Sequence, residues 1–240
     1  MILCKKIDLF VKSGIMKKNT PKGPFMEKNA VQKRNLAGNS VLLLTALIWG
    51  LAFVAQDSLG DYINAFTTNC LRSVVAVVVL SLSLPLIDHL TKSGRRSYAF
   101  THKLPFDLTL TELKWGVLIG FILFIATNLQ QLGLDDPLNG PGKSAFITAL
   151  YIVFVPLFGL FRHKKLSWHI WVSVIIAVIG AYFLTMVGKE TFAFSMADLF
   201  LFGCAIAFSL QIVVIDAAGS QVDGVRISLV QFATVALCSL

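Results

Sequence analysis

The chain has 240 residues, 56% of them hydrophobic and 14% charged, with a formal net charge of +8. A water-soluble domain carries about 25% charged residues, so with a mean hydropathy of +0.75 a soluble globular protein is excluded. The positive charge gathers in particular loops rather than on one continuous face, which argues against nucleic acid as a partner.

Residues 1–34 hold nine Lys/Arg and two acids and read as a basic, mostly disordered cytoplasmic tail. The tail's apolar pieces are too short and too interrupted by charge for a signal peptide; Met16 and Met26 are alternative starts. Long neutral runs follow at 35–56, 62–87 (broken only by Arg72), 115–134, 144–161, 166–188 and 199–215, and a last one at 227–240. A helix spans the apolar layer with about 20 residues. The pattern predicts an all-α integral membrane protein, a bundle of six complete transmembrane helices and the start of a seventh.

The connecting segments alternate in charge. The tail, the 88–114 loop and the 162–165 turn hold seventeen Lys/Arg, whereas 57–61, 135–143 and 189–198 hold two. Basic loops stay on the cytoplasmic side, so the expected topology is multi-pass in the plasma (cytoplasmic) membrane with the N-terminus in the cytoplasm. The segment after the sixth run offers only Arg226 against Asp216 and Asp223 and supports its inside placement poorly.

One stretch suggests different chemistry. Residues 139–146, NGPGKSAF, end a glycine-rich turn with Gly142-Lys143-Ser144, the close of a phosphate-binding loop. That loop needs a glycine five residues before Gly142, and position 137 is proline. The segment instead opens a membrane helix: Pro141 suits a first helical turn, and Lys143 is expected at the interface with its chain snorkelling. No nucleophile, metal-ligand or redox-cysteine motif is found, so no enzyme, cofactor or metal is expected. His89, His102 and His163 lie in basic loops and His169 opens the fifth run. Cys4 is in the tail and Cys70, Cys204 and Cys238 are within runs, with no disulfide expected.

Polar groups within the runs are the substrate-pathway candidates. Arg72 lies about ten residues into the second run, which puts it near mid-membrane at 1.5 Å per residue. Its charge either anchors helices through carbonyls or meets a substrate. Asn128 and Gln131 share a face of the third run, Thr127 and Gln130 the adjacent one; both pairs line a cavity or bond helix to helix. Ser144, Thr148 and Tyr151 form one stripe on the fourth, the alternative being bonds from Ser and Thr to carbonyls of their own helix. Pro156 should kink that helix. Trp49, beside Gly50, either stacks on a substrate or packs, and Gln211 is the strong polar group of the sixth run. Gly116 and Gly120, like Ala177 and Ala181, allow close helix approach and read as internal packing rather than dimerisation.

A weak internal repeat is also present. Shifted by 159 residues, Trp49 meets Phe208, Gly50 meets Ser209, Asp57 meets Asp216 and Arg72 meets Gln231. Five runs precede the repeated segment, an odd number, so the second unit would be inverted relative to the first, as in secondary transporters with a midplane site.

Residues 42–56 (LLLTALIWGLAFVAQ), 69–80 (NCLRSVVAVVVL), 142–157 (GKSAFITALYIVFVPL) and 177–184 (AVIGAYFL) resemble the EamA family of the drug/metabolite transporter superfamily, over about 35–240. The resemblance implies two five-helix repeats and ATP-independent movement of small metabolites, often amino acids and their relatives. It implies a first repeat at 35–188 and the start of a second, truncated after about two helices, at 196–240. The expected function is alternating-access transport, with export as its direction. The expected partners are the lipid bilayer and a small-molecule substrate, and a homodimer is compatible with this. The alternative is a non-transporting remnant or a half-unit that needs a partner; a membrane enzyme is a further rival without a site. Arg72 does not deprotonate readily, which speaks against proton coupling.

Overall fold

The computed structural model describes residues 24–60, 62–92, 107–161, 168–186, 195–219 and 222–240. Most of the basic tail, His102, His163, Lys189 and the side chain of His89 lie outside the described residues. The described residues form helices joined by turns, without a strand among them. In chain order these are α1 (Pro24–Gly60), α2 (Ala65–Lys92), α3 (Leu110–Leu134), α4 (Pro141–Ala149), α5 (Tyr151–Phe161), α6 (Trp168–Met186), α7 (Met196–Ala218) and α8 (Gly224–Cys238).

Five segments are long and apolar enough to cross a membrane: Gly38–Gly60, Ala65–Ile87, Leu110–Leu134, Pro141–Leu160 and Met196–Ala218. Of the six complete spans expected, the fifth falls short among the described residues, with an apolar stretch of Trp168–Gly180. The last run falls mostly in the apolar helix Gly224–Cys238, which is also shorter than a span. The chain is thus an all-α, multi-pass membrane protein.

Several boundaries differ from expectation. Helix α1 starts at Pro24, inside the segment expected to be disordered. Proline suits a first helical position, and Glu27, Lys28, Gln32 and Lys33 are good helix formers that extend an existing helix cheaply. Helix α2 starts only at Ala65, because the Asn64 side chain accepts a hydrogen bond from the Thr67 N–H at 2.8 Å and caps it there. Arg72 is therefore the eighth residue of α2, about 10 Å from its start. The fourth span is interrupted at Leu150, between α4 and α5, six residues ahead of Pro156.

By internal contact the chain divides into two units. The first comprises Met1–Ala52 and Leu82–Asp107, the second Phe53–Ser81 and Leu108–Leu240. In the first unit α1 exposes Leu43, Leu44, Leu47, Ile48 and Trp49, an apolar surface suited to lipid. The second unit is built around α3. Ile119 packs with Ala218, Val222 and Ile227, and Leu123 and Ala126 pack with Cys204, Phe208 and Val235. In hydrocarbon no water is expelled when helices meet, so association draws on close contact, and α3 supplies it through small residues. A Cβ on Gly116 would stand 2.5 Å from Val230 Cβ, and one on Gly120 would stand 2.7 Å from the Gln231 carbonyl oxygen. The Gly116/Gly120 face is therefore filled by α8. Gly133 abuts Leu201 and Ala197 near the start of α7 in the same way. These contacts run α3 antiparallel to α7 and parallel to α8.

Candidate functional site

The polar cluster of the second unit assembles where the end of α1, the first turns of α2 and the last turns of α3 converge. Arg72 Nη1 donates to Gln56 Oε1 at 2.7 Å, and Nη2 donates to Asn69 Oδ1 at 2.7 Å. Asn69, three residues before Arg72 and so on the same face of α2, reaches α3: its Nδ2 donates to the Thr127 carbonyl and to Asn128 Oδ1, each at 3.2 Å. Asn128 Nδ2 donates to the Phe124 carbonyl of its own helix at 2.8 Å. Gln131 Nε2 donates to the Gln56 carbonyl at 3.2 Å and to Asp135 Oδ1 at 2.7 Å. The buried Gln131 Oε1 has no partner among the described residues. Glycine ends α1 for a steric reason: a Cβ at Gly60 would collide with the Asp135 carboxylate.

Arg72, Asn128 and Gln131, expected from the sequence, are thus brought together. Asn69 and Gln56 join them unforeseen. The i, i+3 spacing of Asn69 and Arg72 was a usable signal; Gln56 reaches Arg72 across the turn between α1 and α2, 16 positions away. The electrostatics are unusual. A permanent cation within a span costs about 2.5–3.5 kcal/mol on insertion scales, and here both of its recorded partners are neutral amides. Among the described residues, no carboxylate lies within ion-pair distance of Arg72.

The other candidates lie apart from this cluster. Ser144 and Thr148 are buried on α4, and neither hydroxyl donates to its own helix, although Thr127 does so to Leu123 at 3.0 Å and Ser209 to Ala205 at 2.6 Å. Tyr151 begins α5 and packs into the Leu123/Cys204/Phe208 core, its ring 6.5 Å from that of Phe208. The interruption at Leu150 therefore breaks the expected single helix beneath the stripe. Gln211 is buried on α7. Trp49 belongs to the first unit and is 48% exposed. A groove bounded by Phe146, Ala149, Leu150, Ile152, Ala177 and Val178 is wholly apolar and offers no group for polar recognition.

Lys143 requires a correction. It does not snorkel to the interface: its Nζ lies 2.8 Å from Asp198 Oδ2, and the two side chains are 7% and 2% exposed. The neighbouring start of α7 places this carboxylate beside α4, and an ion pair satisfies the ammonium better than a stretched chain would. The same Asp198 oxygen accepts the Ser195 N–H at 2.9 Å. At the opposite end of α3, buried Glu112 receives the Thr109 N–H at 2.9 Å and the Asp223 N–H at 3.1 Å. Asp223 in turn holds Arg226 at 3.6 Å. Arg226 is thus a buried ion-pair member, which explains why it is a poor topology marker.

Residues 36–186 match the EamA-like transporter family. A similar curated protein is the uncharacterized transporter YrdR of Bacillus subtilis (strain 168), 25% identical over 167 residues that cover 67% of this chain and 47% of YrdR. The chain spans about half the length of that relative. No solved structure matches significantly.

Proposed function

The chain belongs to the EamA-like transporter family, and from that premise we propose that it carries small metabolites, amino acids or related compounds, across the plasma membrane by alternating access, outward from the cytoplasm. The observation that carries this reading is Arg72, a charge within a span that is held in place by amides and not neutralised by a carboxylate. Charged groups at membrane depth mark substrate and ion paths. Asn128 and Gln131 would line the path with Arg72. Trp49, Ser144, Thr148, Tyr151 and Gln211 remain candidates for other stages of it.

The inverted repeat is part of the proposal. The shift of 159 residues that aligns the sequences carries Ala65, the start of α2, onto Gly224, the start of α8. It also carries Gly60, the end of α1, to the residue after Ala218, the end of α7. The antiparallel run of α3 and α7 agrees with an odd number of spans, five, before the second repeat. The basic loops support an N-terminus in the cytoplasm.

The test is flux. In cells or proteoliposomes carrying the chain, Arg72→Ala should lower metabolite efflux at least tenfold at equal protein in the membrane. Unchanged efflux would remove Arg72 from the path. A second reading is a half-unit that works only with a partner. Flux that appears only when a second chain is supplied would select it.

A further inference from the structure

We infer that the compound recognised at Arg72 bears a carboxylate, and that the amide cluster exists to hold the guanidinium ready for it. This rests on the reading of the cluster as part of the substrate path. Three cations lie among the packed helices of the second unit with described partners. Lys143 is paired with Asp198 at 2.8 Å and Arg226 with Asp223 at 3.6 Å. Arg72 differs from both: its recorded partners are the amide oxygens of Gln56 and Asn69.

Those two bonds matter for geometry as well as charge. A guanidinium has five N–H donors in a rigid plane. Gln56 takes one from Nη1 and Asn69 one from Nη2, which fixes the plane at two points. Gln56 and Asn69 are themselves held by α3: Gln131 binds the Gln56 carbonyl, and Asn128 and the Thr127 carbonyl bind Asn69. Three N–H groups are left on a side chain that is only half-buried. The nearby carboxylate of Asp135 is engaged by Gln131 Nε2 at 2.7 Å. An aspartate or glutamate in place of Gln56 or Asn69 would neutralise the guanidinium permanently. Amides orient it and leave its charge unspent. A planar fork of this kind matches a carboxylate with two parallel hydrogen bonds, whereas a neutral amide of the same skeleton offers one acceptor and no charge.

Matched acid and amide probes test the inference directly. The full chain, in phosphatidylcholine nanodiscs near neutral pH, would be titrated calorimetrically with leucine and leucinamide, isovalerate and isovaleramide, and phenylacetate and phenylacetamide. At least one acid should bind ten or more times tighter than its amide. That preference should shrink below threefold in Arg72→Gln and survive in part in Arg72→Lys, which keeps the charge and loses the fork. Equal binding of every acid and amide, no binding of any acid, or a preference unchanged in Arg72→Gln would overturn the inference. Should Arg72→Gln not fold, the wild-type ratio and Arg72→Lys decide. Flux of the same probes in proteoliposomes separates the two claims. Acid-selective binding without flux would refute transport and uphold the carboxylate, whereas equal flux of acids and amides would do the reverse.

Discussion

Burial without pairing distinguishes the polar residues from one another. Lys143 is a buried cation whose partner is buried with it. Removing one member of such a pair leaves an uncompensated charge and costs about 3–5 kcal/mol. Lys143→Met should therefore sharply lower the thermal midpoint of the detergent-solubilised chain. The double variant Lys143→Met/Asp198→Leu should recover part of the loss, limited by the Ser195 N–H that Asp198 also holds. Ser144 is the opposite case. Its buried hydroxyl has no partner among the described residues, so Ser144→Ala removes an unsatisfied group and should leave the midpoint unchanged or raise it by the equivalent of about 1 kcal/mol. A fall in flux at undiminished stability would assign Ser144 to the path; equal flux would make it packing. The importance of Arg72 could be anticipated from the sequence, because a charge in a 26-residue neutral run stands out. The fate of Lys143 could not be, because its partner lies 55 positions further along the chain.

Among the elements, α3 does most to organise the second unit. Its glycines let α7 and α8 approach until backbone and side chain touch. Gly120→Leu would drive a branched side chain into the Gln231 carbonyl and Thr234; overpacking of this kind costs about 1–3 kcal/mol or more. A reduced yield of monodisperse protein in detergent would report it. Gly50 in α1 has nothing within 4 Å of an added Cβ. Gly50→Ala should be tolerated in the same assay, since alanine is the better helix former by about 1 kcal/mol. If Gly120→Leu behaved like Gly50→Ala, the α3–α8 contact would not be close in the membrane. Helix existence was legible in the neutral runs. Helix starts were less so, because they depend on single caps: Asn64 for α2, and Thr109 with Glu112 for α3. The break at Leu150 was not legible, since Pro156 lies six residues further on, inside α5.

For the whole molecule, the alternation of basic and neutral loops carries a prediction of sidedness. With native cysteines replaced, a cysteine at Leu138, between α3 and α4, should react with a membrane-impermeant thiol reagent in intact cells. One at Leu108, before α3, should react only after permeabilisation. The reverse pattern would place the N-terminus outside. Buried polar groups concentrate at both ends of α3, with Gln131 and the nearby Lys143–Asp198 pair at one and Glu112, Asp223 and Arg226 at the other. The core between them is hydrophobic.

By itself the sequence determined the class of molecule. Long neutral runs require a bilayer, since such a surface has no other solvent, and in hydrocarbon the backbone must satisfy its own hydrogen bonds, which makes the runs helices. It also identified the family through local motifs, and singled out Arg72, because a charge in an apolar run is visible without knowing its neighbours. Partnership was decided by the tertiary structure alone. Gln56, Asn69, Asn128 and Gln131 lie up to 75 positions apart, and whether an amide binds its own helix, another helix or a ligand depends on distances that no spacing along one helix encodes. The chain brings two amides to the Arg72 guanidinium, each tied in turn to α3, and a carboxylate to each of Lys143 and Arg226. That contrast is the ground on which Arg72 is proposed to meet a substrate, whereas Lys143 and Arg226 are paired within the fold.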